Sequence, residues 1–98
     1  MARLVLSPEA ARDLERARDW YDLRTPGHGN IFADCAAKSL DSVAQNPELY
    51  GVVWGGVRAA TVHRHPYLIY YRITPHSVEV LGVLHARRDL DRLLDRLK

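Results

Sequence analysis

The chain has 98 residues, 47% hydrophobic and 27% charged, a length that holds one domain (residues 1–98) and leaves no room for a second core. A chain this short buries roughly 60–65% of the surface it exposes when unfolded, so its stability without a partner is modest. Its single cysteine, Cys35, excludes a disulfide framework and a multi-thiolate metal site. No apolar run approaches the roughly 20 residues that span a bilayer, and no export signal is expected in the opening segment to Pro8. These features lead to the expectation of a small, reduced, cytoplasmic globular domain.

The net charge of +2 conceals an asymmetry. Residues 1–49 carry six Lys/Arg against eight Asp/Glu, whereas residues 50–98 carry eight against four, with four of the five histidines. Twelve of the 14 basic residues are arginine, which favours planar, bidentate contacts over diffuse attraction, although a GC-rich genome produces the same bias. The total is too small to argue for nucleic-acid binding by charge alone. An acidic partner is expected on the C-terminal half.

In chain order, residues 2–6 are a short β-type run that stops at Ser7-Pro8. Ser7 suits an N-cap, Pro8 the first helical position, and Glu9 the positive end of the helix dipole. Ala10, Leu14, Ala17, Trp20 and Tyr21 then recur at helical spacing, with Arg12, Asp13, Glu15, Arg16, Arg18 and Asp19 on the other faces. This helix is expected to end near Leu23-Arg24, because Thr25-Pro26-Gly27-His28-Gly29 carries turn chemistry. A second helix follows, with Phe32, Cys35, Ala36, Leu40 and Val43 on one face, and stops before Pro47. So short a connection predicts an antiparallel hairpin.

Beyond Pro47 the composition turns β-branched and aromatic. Val57–His63, Tyr67–Ile73 and Val78–Leu84 read as a three-strand meander, with turns at His63-Arg64-His65-Pro66 and Thr74-Pro75-His76-Ser77. A four-residue second turn sets Ile73 against Val78 and Arg72 against Glu79. Tyr67–Tyr71 is apolar on both faces, as in a strand covered on both sides. Leu90, Leu93, Leu94 and Leu97 give residues 88–97 an apolar helical face. The fold class is α+β, with an N-terminal strand, a two-helix hairpin packed on an antiparallel β-sheet, and a short C-terminal helix.

Conventional catalytic and cofactor signals are weak. Gly27-His28-Gly29 and Gly55-Gly56 lack the strand–glycine–helix context of a phosphate loop and read as turns. His63 and His65 form an i, i+2 pair with no third ligand placed beside them, so neither a metal nor a cofactor is expected. Cys35 lies on an apolar helix face and reads as core.

Gly56-Val57-Arg58, the strand from His65 to Ile73, and the run Val80–Asp89 ending in His85-Ala86-Arg87-Arg88-Asp89 resemble the C-terminal half of the RelE/ParE toxin superfamily. The ParE branch of bacterial type II toxin–antitoxin systems is the nearer one. Leu6–Ala10 and Pro47 fit the same pattern, so the resemblance covers almost the whole chain. It implies a helical hairpin on an antiparallel sheet, and a hetero-oligomer with a cognate antitoxin whose tail folds on binding. RelE-like members cut mRNA on the ribosome, whereas ParE-like members interfere with DNA gyrase.

Residue chemistry bears on that choice. RNA cleavage needs groups that activate the 2′-hydroxyl, stabilise the phosphorane and protonate the leaving group. The lysines, arginine and late tyrosine that RelE-like members use are mostly missing here. No lysine lies between Lys38 and Lys98, Leu68 follows Tyr67, and no tyrosine follows Tyr71. His63, His65 or His85 remain available as substitutes. The reading is therefore a non-enzymatic gyrase inhibitor neutralised by its antitoxin, with a ribosome-dependent endoribonuclease, or a degenerate toxin kept only to bind antitoxin, as alternatives. Expected target contacts are Arg58, His85, Arg87, Arg88 and Arg92, with Arg88, Arg92 and Arg96 sharing one helix face. Arg92 and Arg96 could equally pair with Asp89, Asp91 and Asp95. Expected antitoxin contacts are Leu14, Trp20, Tyr21, Tyr67 and Tyr71, in a groove between hairpin and sheet.

Overall fold

The structure, a computed structural model, describes residues 2–97. Strand β1 (Leu4–Leu6) leads into α1 (Pro8–Arg24), and α2 (His28–Gln45) returns beside it. The Ser7 hydroxyl accepts the Ala10 N–H at 3.0 Å and donates to the Leu81 carbonyl, so one side chain caps the helix and ties its start to the sheet. Pro26-Gly27 breaks the hairpin as expected, but α2 already begins at His28. No side chain of Gly27 caps it; the Asp22 carboxylate of α1 accepts the Gly29 N–H at 2.7 Å instead.

The second half adds β2 (Val52–Trp54), β3 (Val57–Thr61), β4 (Tyr67–Ile73), β5 (Val78–His85) and α3 (Leu90–Leu97). Strand β2 is absent from the sequence reading. It pairs antiparallel with β3 across Gly55-Gly56, whose φ values of 49° and 82° suit a tight hairpin turn. The five strands lie in the order β1-β5-β4-β3-β2. Strands β3 to β5 form the expected antiparallel meander, β2 extends it antiparallel, and β1 joins it parallel to β5, so the whole sheet is mixed. The β4–β5 register is as expected, with Ile73 opposite Val78 and Arg72 opposite Glu79.

Both faces of the sheet are covered. Phe32, Cys35, Ala36 and Val43 of α2, with Ala10 and Ala17 of α1, pack on Ile69, Tyr71, Val78, Val80 and Val83. On the opposite face, Val57, Tyr70 and Leu84 form a smaller cluster that Leu93 of α3 closes. Apolar residues on both sides of β4 are thus explained by its central place. The side chain of Leu97, fourth leucine of the expected α3 face, lies outside the described residues.

Asp13 requires a correction. Placed by helical spacing among the outward polar residues of α1, it is only 3% exposed. Its Oδ2 accepts the Val83 N–H of β5 at 3.0 Å, and its Oδ1 accepts Arg96 Nη2 of α3 at 2.9 Å. A carboxylate buried this deeply persists because it is paired and hydrogen-bonded. It links α1, β5 and α3 in one contact.

Candidate functional site

The end of α1, the start of α2, the start of β4 and the end of β5 meet at one end of the molecule, and their side chains form a cationic, aromatic surface. Half-buried Trp20 has the Arg24 guanidinium 3.5 Å and the Arg88 guanidinium 4.2 Å from its ring centroid, both within cation–π range. Arg88 is also fixed through Nη2, which donates to the Tyr67 hydroxyl at 2.6 Å. Arg87 beside it is exposed.

His85 sets this orientation. Its Nδ1 accepts the backbone N–H groups of both Arg87 and Arg88, at 3.1 and 3.0 Å, while Asp89 accepts the His85 N–H at 2.8 Å. Residues 85–89 therefore form a closed turn. Desolvation, reinforced by the Arg88 and Arg87 charges, lowers the His85 pKa from the ordinary histidine value, against the opposing pull of Asp89. A neutral ring with a bare Nδ1 is the form that can accept those two N–H groups. Burial raises the phenols of Tyr67 and Tyr21, and the Arg88 charge only partly offsets it.

The structure brings His85, Arg87 and Arg88 together and separates them from the other expected target contacts. Arg58, on β3, donates to the carbonyls of Tyr50 and Glu48 at 2.6 and 3.2 Å, so its guanidinium holds the segment leading into β2. Arg92 is exposed on α3. The three-arginine helix face does not form, because Arg88 precedes α3 and Arg96 turns inward to Asp13 rather than to Asp89, Asp91 or Asp95.

The residues expected to contact an antitoxin do not share one groove. A groove of about 420 Å³ does lie between α2 and β3, lined by Lys38, Ser39, Ser42 and Thr61 among others, but Tyr67 and Tyr71 are not part of it. Tyr71 is fully buried, its hydroxyl donating to the Pro47 carbonyl at 2.6 Å, and Tyr67 is buried against Tyr21 and Phe32. Tyr21 is half-buried, and Leu14 lines a shallow groove between α1 and α2 with Phe32, Ala36 and Leu40. A larger apolar surface, missed from the sequence, lies on the opposite face of the sheet. There a groove of about 980 Å³ is lined by Val53, Trp54, Tyr70, Asp91, Leu93, Leu94 and Asp95. The run Val52-Val53-Trp54 ahead of Gly55-Gly56 was the available signal for a hairpin at this place. Among the described residues, no group of three His, Cys, Asp or Glu side chains could hold a metal ion, and no helix is long and apolar enough to cross a membrane.

Comparison with known proteins agrees with this architecture. A family model described as the ParE toxin of the type II toxin–antitoxin system, parDE, matches residues 4–90. Toxin RelE3 of Caulobacter vibrioides is 27% identical over 88 residues, which cover 88% of this chain and 96% of that protein. The solved structure of a chromosomal ParDE toxin–antitoxin system from P. aeruginosa superposes with a TM-score of 0.78 at 20% identity, covering 87% of this chain and 96% of its counterpart. The family match spans the hairpin, the sheet and the closed turn at His85, and on that extent the chain belongs to the ParE toxin family of type II toxin–antitoxin systems.

Proposed function

We propose that this toxin acts on DNA gyrase as a non-enzymatic inhibitor and is silenced by a cognate antitoxin. The observation that carries the reading is the Trp20–Arg24–Arg88 surface with exposed Arg87 beside it. It offers guanidinium groups held in place on an indole, suited to acidic or phosphate-bearing surfaces, without a free acid–base pair. His85 uses Nδ1 to close its own turn, and its lowered pKa disfavours the protonated form a general acid requires. The Tyr67 hydroxyl is engaged by Arg88, and its raised pKa disfavours a phenolate base.

The antitoxin's place is the groove bounded by β2 and α3, where Val53, Trp54 and Leu94 stay exposed. An apolar segment laid there covers surface that the toxin leaves open, in the manner of a helix or strand seated in a groove. Its basic groups would meet Asp91 on the rim.

Purified toxin, gyrase, ATP and plasmid form the direct test. Linear DNA that requires both proteins, and that disappears with a folded Arg87→Ala/Arg88→Ala variant, is the expected result. The name RelE3 carried by the Caulobacter relative makes cleavage of mRNA in the ribosomal decoding site the competing outcome. Ribosomal cleavage with undisturbed supercoiling would replace gyrase as the target.

A further inference from the structure

We propose that His28 and His65 form a proton-sensitive clasp between the start of α2 and the β3–β4 turn, closed by a single hydrogen shared between their Nε2 atoms and opened when both rings become charged. The inference is independent of whether gyrase or the ribosome is the target.

The two Nε2 atoms lie 3.2 Å apart, and His65 Nδ1 lies 2.7 Å from the His63 carbonyl oxygen. A carbonyl only accepts, so His65 Nδ1 carries a hydrogen, and the neutral His65 ring presents a bare Nε2 to His28. His28 therefore supplies the Nε2 hydrogen. The pair accommodates one added proton, because His28 Nδ1 can take it while the shared hydrogen stays in place. A second added proton leaves N–H facing N–H and two positive rings in contact. The contact then becomes repulsive.

The surroundings make the doubly charged state costly. His65 is 8% exposed and sits edge-on to Tyr21 and Phe32, at ring centroid distances of 5.0 and 5.1 Å. Tyr21 also lies 4.8 Å from His28. The polar and titratable groups around this pocket are Tyr21 and Asp22 of α1, His63 and Arg64 of the turn, Tyr67 of β4, and His85 and Arg88 beyond β5. Asp22 Oδ1 accepts the Gly29 N–H, the Arg88 guanidinium donates to the Tyr67 hydroxyl and adds positive charge beyond it, and the His85 ring packs edge-on to Tyr67. Among the described residues, neither imidazole of the clasp is salt-bridged to a carboxylate that could balance the second charge. Charging both rings thus drives them toward water and uncovers the Tyr21–Phe32–Tyr67 wall beside the Trp20–Arg88 surface.

Amide exchange over residues 28–32 and 62–66 at about pH 7.5 and pH 5, corrected for intrinsic rates, tests the clasp. The expected result is about tenfold loss of protection in both segments at the lower pH. His28→Gln keeps an N–H donor of similar reach but removes one titrating ring, so both segments should stay protected at the lower pH. His65→Gln, if it folds, should lose the acid response as well. Equal protection at both pH values, or acid opening of His28→Gln as large as that of the parent chain, overturns the proposal.

Discussion

At the level of single residues, the most consequential placement is Asp13. Its side chain is 1% exposed, and its partners come from β5 and α3 rather than from its own helix, apart from Arg16 at 3.9 Å. Removing one member of a buried ion pair strands the other, so Asp13→Ala should destabilise by about 3 kcal/mol, the low end for such pairs because Arg96 is partly exposed. Arg96→Met should cost a similar amount, since the carboxylate stays buried with less compensation. The double variant Asp13→Leu/Arg96→Met should recover much of the loss, as apolar replacements of a buried pair often do. Urea unfolding of the four proteins checks this; additive losses in the double variant would mean that the stranded charge is not the source.

His85 gives a residue-level pH prediction. Its folded pKa lies below the ordinary value, so the unfolded chain binds more protons in the interval between the two. The stabilisation is therefore present above about pH 6.5 and is lost as pH falls from there through the folded-state value. Asparagine can offer Oδ1 to the same two N–H groups without titrating. The parent chain should lose more melting temperature than His85→Asn on going from neutral to mildly acidic pH; parallel curves would remove His85 as a contributor.

At the level of elements, what could be read from the sequence follows the range of the forces involved. The bounds of α1, the end of α2, the β4–β5 turn and the register of that hairpin depend on residues a few positions apart, such as Ser7-Pro8, Pro47 and Thr74–Ser77, and all came through, whereas α2 starts inside the stretch read as a loop. Strand β2 did not, because its three residues are all exposed and lack the alternation that marks a half-buried strand. The inward turn of Arg96 was equally hidden. Its spacing with Arg92 suits a solvated face, and the partner that overrides this lies 83 residues away. The same holds for the His28–His65 contact, 37 residues apart, and for the closure of hairpin on sheet that buries Tyr67 and Tyr71. The closed turn at His85-Arg87-Arg88 was legible as a cluster, while its geometry was not.

Gly82 is the point where β5 admits the α3 anchor. A Cβ added there would stand 2.6 Å from Arg96 Nη1 and 3.2 Å from Asp13 Oδ2. Arg96 can retreat, being the end of a flexible side chain, but only by giving up Asp13. Gly82→Ala should therefore loosen α3 and cost about 1–3 kcal/mol, in the range of overpacking a filled site. Amide exchange would rise across Leu90–Leu97 while the α1–α2 hairpin stays protected. Unchanged protection of α3 would show that Leu93 and its neighbours hold the helix without the ion pair.

Across the whole molecule, the sheet separates two surfaces of opposite character. Its covered end carries Trp20, Arg24, Arg87 and Arg88, and its far face carries the apolar groove between β2 and α3. A target and a silencing partner that use these different surfaces need not compete residue for residue, and the antitoxin can inhibit by reaching from one to the other. The proposal can be separated experimentally because Trp54 is 56% and Leu94 51% exposed in the free toxin. Polar replacements at such positions change stability little, usually within about 0.5 kcal/mol. Trp54→Ser/Leu94→Ser should then fold and keep its activity on the target, yet bind the antitoxin at least about tenfold more weakly, as loss of an aromatic anchor commonly does. The Arg87→Ala/Arg88→Ala variant should behave in the reverse sense, losing target activity while keeping most antitoxin affinity. Calorimetric titration of both variants against the antitoxin, beside the gyrase assay, resolves the arrangement. Equal antitoxin binding by the parent chain and the groove variant would move the antitoxin off the β2–α3 face.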